Sequence, residues 1–189
     1  QHSRVAFALR ALAWSLSNQH RYEEAEPLLQ EALAITRNTQ HADHSAQAEL
    51  LADLAFMELK LNRLNQALST IERALPVLTE SLDDDHALLI AAQITKAEIL
   101  NGLSEHTAAF AWLEPVINRL DQRPPSEFMD DEILARGWRE LGIAQSGMGY
   151  RNEALASWNQ ALTLARKSKF PDQHHIETIE GLILKASKS

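Results

Sequence analysis

Four sets of residues have types and spacings that can do chemistry. His41 and His44 stand three apart, a reach that suits two imidazoles on one transition metal, and His174-His175 is a second histidine pair. No carboxylate or third histidine is placed to complete either set. Both pairs are expected at the surface, with no metal. Asp83-Asp84-Asp85 and Asp130-Asp131-Glu132 offer the oxygen ligands that calcium prefers, but neither run fits the twelve-residue calcium loop. Each precedes a helical pattern, where carboxylates meet the positive end of the helix dipole, so capping is their expected role. A Gly-rich phosphate loop, a nucleophile elbow, a zinc-helix motif and a carboxylate pair in apolar surroundings are all missing. No catalytic residue and no cofactor is expected, and the chain does not read as an enzyme.

Composition narrows the field further. With 189 residues, 45% hydrophobic and 23% charged, the sequence is that of a folded globular chain. Cysteine is absent, which removes disulfides, thiol catalysis and thiolate metal sites together. No apolar run approaches the ~18 residues that span a bilayer, and no signal segment opens the chain. Cytoplasm is the expected location, and a periplasmic fragment would look the same. The first residues run straight into a helical pattern without a Met, which reads as a piece of a longer protein. The net charge of −8 is uneven: residues 43–115 hold twelve Asp or Glu against four Lys or Arg. Such a balance disfavours nucleic acid, whose phosphates require basic stripes. It is either a surface for basic partners or a solvated helix face.

The elements that must position any site follow a repeat. Ala25, Ala67, Ala109 and Ala154 lie 42, 42 and 45 residues apart. Each is followed four positions later by Leu29, Ile71, Leu113 or Trp158, and then by Ala32, Ala74, Val116 or Ala161. A fixed period of this size marks a solenoid, whose units bury their apolar faces only against neighbours. Apolar residues at i, i+3, i+4 and i+7 predict nine helices, at about 3–18, 22–37, 43–61, 64–81, 85–102, 106–122, 128–148, 151–168 and 172–187. Polar breaks separate them, and Pro124-Pro125 occupies the one place where the period lengthens. Small residues at Ala13, Ala55, Ala97 and Gly142 allow paired helices to approach closely. Trp112, Trp138 and Trp158 fall on helix interfaces and are expected in the core. Pro115, about two turns into its helix, is expected to bend it.

Trp138-Arg139-Glu140-Leu141-Gly142, followed by Ala154, Trp158 and Ala161, resembles the tetratricopeptide repeat (TPR) family. Leu9, Leu12, Ala13, Tyr22, Ala25, Leu29 and Ala32 repeat the pattern in the first unit, and the third unit is the most degenerate. The 42-residue period and the phrase Tyr22-Glu23-Glu24-Ala25-Glu26-Pro27-Leu28-Leu29 are similar to the long units of the kinesin light chain type. The resemblance implies an all-α fold: a right-handed α-solenoid of four helix pairs with a C-terminal capping helix carrying Ile176, Ile179, Leu182 and Ile183. The whole chain is expected to be one domain, with units at about 3–42, 43–84, 85–126 and 127–170.

In this family the first helix of each unit lines a concave groove. The resemblance and the helical spacing together place Arg10, Trp14, Asp53, Phe56, Lys60, Ile94, Glu98, Arg136, Arg139 and Ile143 there, with Trp14, Phe56, Glu98 and Ile143 at equivalent positions. An aromatic stripe broken by charges suits an amphipathic helix or an extended peptide. Trp14 and Phe56 packing only against adjacent repeats is the competing reading. Where relatives carry a peptide-gripping Asn, this chain has Ala11, Asp53, Thr95 and Glu140. The Lys and Asn set of the carboxylate-clamp relatives is incomplete. A protein or peptide scaffold within a signalling or regulatory protein is the expected function. An oligomerisation or intramolecular effector-sensing module is the alternative. Neither nucleic acid nor membrane is an expected partner.

Overall fold

The computed structural model describes residues 2–37, 44–122, 131–169 and 171–188; for His2 and Ser3 only the backbone is described. His41, the Pro124-Pro125 turn and Asp130 lie outside the described residues. Those residues form nine helices and no strand: α1 (His2–Ser17), α2 (Tyr22–Arg37), α3 (His44–Lys60), α4 (Leu64–Ser81), α5 (Ala87–Gly102), α6 (His106–Asp121), α7 (Asp131–Gly147), α8 (Arg151–Lys167) and α9 (Gln173–Lys188). They fall into two compact units, Gln1–Asp84 and Asp85–Ser189.

In the first unit α1 packs on α2, α2 on α3, and α3 on α4. In the second, α5 packs on α6 and α7, α6 on α7, α7 on α8, and α8 on α9. The repeated small positions are what bring each pair together. Ala13, Ala55 and Ala97 are fully buried, as are Ala25, Ala67, Ala109 and Ala154 on the facing helices. Leu29, Ile71 and Leu113 are equally buried, and Trp158 is 2% exposed. Pro27, Pro76 and Pro115 all sit inside helices, and α6 continues past Pro115 to Asp121.

One turn recurs in every helix pair. His20, Asn62, Ser104 and Gly149 adopt φ of 59°, 58°, 63° and 88°. The next N–H reaches back five residues, from Arg21 to Leu16 O, Arg63 to Glu58 O, Glu105 to Leu100 O and Tyr150 to Gln145 O. This six-residue bond closes the last turn of the first helix around a left-handed residue. The carbonyls of Arg21, Arg63, Glu105 and Tyr150 then accept from Ala25, Ala67, Ala109 and Ala154, starting the second helix at the small anchor. The same backbone geometry thus sets the second helix at the same place in each repeat.

The helix starts correct one expectation. The cap of α5 is His86, whose side chain accepts from the Leu88 N–H; Asp83, Asp84 and Asp85 lie before it. Asp131 and Glu132 do occupy the first turn of α7. Asp172 caps α9, accepting from the N–H groups of His174 at 2.9 Å and His175 at 3.3 Å. His175 departs from its expected surface position. It is 3% exposed, with Nδ1 against Glu132 Oε1, because α9 turns this residue inward with Ile176 and Ile179. Those isoleucines, with Leu182 and Ile183 partly buried beside them, cover Trp158, Ala161 and Ala165 in the manner of a capping helix.

Candidate partner-binding faces

In the first unit, α1 and α3 bring five of the groove residues together. The Trp14 and Phe56 rings stack with centroids 5.7 Å apart and planes inclined by 23°. Lys60 Nζ lies 5.0 Å from the Phe56 centroid, a cation over an aromatic face. Beside this shelf the Arg10 guanidinium spans two carboxylates, Glu49 and Asp53. Asp53 is buried while Trp14 remains 36% exposed. Burial pushes the Asp53 carboxyl up; the hydrogen bond and charge of Arg10, and a hydrogen bond from Trp14, pull the other way. Burial likewise opposes charge on Arg10, but Asp53 and Glu49 outweigh it and hold the guanidinium ionised.

In the second unit, α5 and α7 carry a longer polar network. Glu98 accepts from Arg136 at 2.9 Å and from Arg139 at 3.2 Å. Arg139 also reaches Glu140 at 2.8 Å. Asn101 Nδ2 donates to Glu140 Oε2 at 3.0 Å and to its carbonyl at 2.9 Å, and Asn101 Oδ1 lies 3.2 Å from His106 Nδ1. Since the Asn101 amide nitrogen is spent on Glu140, its oxygen must accept, and His106 Nδ1 carries the proton. Burial disfavours charge on Arg139, yet Glu140 and Glu98 more than compensate and raise its affinity for the proton.

The sequence-predicted residues therefore divide. Trp14, Phe56 and Lys60 form a shelf with an accessible edge. Arg10, Asp53, Glu98, Arg136 and Arg139 are placed on the expected helices but neutralise one another. Arg10, Arg136 and Arg139 are thus held by the chain's own acids. Ile143 is half-buried on α7. Ile94 departs from the expectation, being fully buried among Leu113, Ile117 and Leu141. The reason is Gly137: a Cβ there would stand 2.7 Å from Ile117 Cδ1 and 3.2 Å from Ile94 Cδ1, so the glycine makes the space that both isoleucines fill. Glu140 and Asn101 are the network members whose roles sequence reasoning missed. The signal for them was weak, an acid at the position where relatives carry Asn.

Among the described residues no group of three or more His, Asp or Glu is placed to hold a metal ion, and no helix is long and apolar enough to cross a membrane.

A run of antiparallel helix pairs, each joined by the same left-handed turn and packed through the same small residues, defines a helical-repeat protein. The model of the tetratricopeptide repeat family matches residues 6–44. No curated protein matches the sequence. Among solved structures, the chain is similar to a kinesin light chain-like protein with nearly identical TPR-like repeats from Podosopora anserina, with TM-score 0.72, 19% identity, and 100% of this chain and 87% of that one covered. BtubC (BKLC) from P. vanneervenii has TM-score 0.63 and 16% identity, over 99% and 84% of the two chains. A Rap protein complexed with competence and sporulation factor has TM-score 0.75 and 16% identity, over 97% of this chain and 51% of that one. At these identities the likeness is one of fold.

Proposed function

We propose that this chain is one non-catalytic scaffold domain that binds a protein or peptide segment across the first-helix faces of its units, within a signalling or regulatory protein of the cytoplasm. The observation that carries this reading is the Trp14–Phe56–Lys60 shelf. A stacked aromatic pair with one edge in water and a cation over its other ring offers large contact area at low entropic cost, and aromatic residues of this kind dominate binding interfaces. The flanking Arg10 ion pairs fix the shelf rather than compete for the partner. The Rap protein, complexed with competence and sporulation factor, supports the reading by analogy of fold alone.

Affinity capture from lysate, comparing the native chain with a Trp14→Ala, Lys60→Ala variant that keeps its helix content, tests it. Partners held by the native chain and lost by the variant are the expected result. Partners held equally by both would remove the α1/α3 face from the binding surface.

A second reading has its own observation. Val5 and Leu12, on one side of α1, are 47% and 51% exposed, and Phe7 on the opposite side is 72% exposed; apolar surface of this kind suits self-association or contact with another part of a parent chain. Capture of the parent protein alone, or a dimer in sedimentation that Leu12→Glu dissolves, favours this oligomerisation or effector-sensing module.

A further inference from the structure

Asn101 is followed by Gly102, and no other asparagine in the chain precedes a glycine. That pair has a chemistry of its own. With no side chain on the second residue, its backbone nitrogen can approach the asparagine carboxamide carbon closely. Attack forms a bond from Gly102 N to Asn101 Cγ and breaks the bond from Cγ to Nδ2; the amide proton leaves with Nδ2 as ammonia. Water then opens the resulting succinimide at either carbonyl, giving aspartate or, with the main chain routed through Cγ, isoaspartate. No electrons are gained or lost, and water is the only co-reactant.

The fold restrains both reacting groups. Asn101 is 8% exposed, and its Nδ2 donates to the Glu140 carbonyl at 2.9 Å and to Glu140 Oε2 at 3.0 Å. His106 Nδ1 donates to its Oδ1 at 3.2 Å. Gly102 is the last residue of α5, where its N–H serves the helix ladder and points along the axis rather than at the preceding side chain. Ring closure therefore needs the last turn of α5 to open and Asn101 to leave Glu140. That turn is placed for opening. Gly102, Ser104 and Glu105 are exposed, and Ser104 closes it at φ 63°, a conformation costly for a serine.

We propose that Asn101-Gly102 is a deamidation site gated by the last turn of α5, and that conversion is a one-way switch releasing α5 from α7 at Glu140. Opening of the turn by itself is reversible, whereas the chemistry is not. A carboxylate at position 101 has no hydrogen to offer, so the Glu140 carbonyl and Oε2 lose their donor. It also sets a second negative charge against the Glu140 carboxylate. Isoaspartate adds a methylene to the main chain and breaks the helix ladder there. The site lies within the second unit and does not depend on the reading given to the α1/α3 face.

Incubating the full 189-residue chain in mildly alkaline buffer, folded and in urea, with peptide mapping by mass spectrometry, tests the proposal. Asn101 is expected to convert in the folded chain, but about tenfold or more slowly than in urea. Glu140→Ala, which frees the carboxamide, should speed conversion roughly fivefold or more. Ser104→Gly, which relieves the turn that closes α5, should slow it. This second variant carries the comparison if circular dichroism shows that Glu140→Ala has lost helix. Converted chain, separated by its extra negative charge on anion exchange, should unfold at a lower urea concentration than unconverted chain. Gly102→Ala, incubated in the same way, should keep its midpoint. No conversion in the folded chain, conversion at the urea rate, or rates unmoved by the substitutions at Glu140 and Ser104 overturns the gated site. Converted chain with the native urea midpoint overturns the switch.

Discussion

Gly142 lies directly against the Trp158 indole: a Cβ at Gly142 would stand 2.5 Å from Nε1 and 2.6 Å from Cδ1. The ring has no easy retreat, because Nε1 donates to the Arg139 carbonyl at 3.2 Å and only 2% of the residue is exposed. Gly142→Ala is therefore an overpacking change despite the helix preference of alanine. It should cost about 1–3 kcal/mol, read as a lower denaturant midpoint at unchanged slope. A paired Trp158→Phe change, which trims the indole, should restore part of that loss. Two independent, additive penalties would mean the residues do not meet as described.

The recurring left-handed turn makes a prediction of opposite sign. Three of its four copies place a side chain at φ near 60°, where only glycine is unhindered. Ser104→Gly should stabilise by about 0.5–1 kcal/mol, because the folded state loses a steric cost larger than the entropy that glycine adds to the unfolded chain. A matched Gly149→Ser should destabilise by a similar amount. Thermal unfolding of the two variants, which ought to move the midpoint in opposite directions, checks the pair.

How much of this was legible beforehand can be argued from particular residues. The anchors Ala25, Ala67, Ala109 and Ala154 were readable because period and residue size are both properties of the string, and helix α4 runs over Leu64–Ser81 as the pattern indicated. The turns were visible as polar breaks. Their left-handed residues were not, because His20 and Ser104 carry no glycine signal. The face was legible only by helix: Arg10, Ile94 and Arg139 occupy one repeat position, yet Ile94 is core and the arginines are ion-paired. What separates them is a glycine on a neighbouring helix and the reach of long side chains across repeats. Periodicity within one helix encodes neither.

The Arg139 network predicts which probes of function will mislead. Arg139→Ala leaves Glu98 and Glu140 with a lost cation in a poorly solvated setting, where breaking such a pair costs about 3–5 kcal/mol. Loss of partner binding in that variant would then track loss of fold. Arg139→Lys keeps one charge without the fork and should fall between the two. Trp14→Ala, at a partly exposed site, should cost the fold far less, and urea titrations of all three establish the order.

Glu58 gives a pH dependence whose sign can be worked out. The residue is 1% exposed, Gln66 Nε2 donates to Oε1 at 2.6 Å, and Oε2 lacks a hydrogen-bond partner. Burial raises its proton affinity; hydrogen bonds from Thr70 and Gln66 pull the other way, Glu26 adds to the rise, and Arg63 opposes it. The folded state therefore holds this proton more tightly than the unfolded chain, whose glutamates titrate near ~4.3. The stabilisation is complete below that ordinary range and is lost as pH rises through the elevated folded value. Above it, the fold carries an ionised carboxylate whose desolvation is only partly offset. Glu58→Gln mimics the protonated form and keeps the Gln66 contact. It should be more stable than the native chain at pH 7.5, by on the order of 1 kcal/mol, and the gap should close as the pH is lowered through the native transition. Urea midpoints for both proteins at pH 7.5 and pH 5 measure that difference directly. A constant gap at the two pH values would mean that burial does not govern this carboxylate.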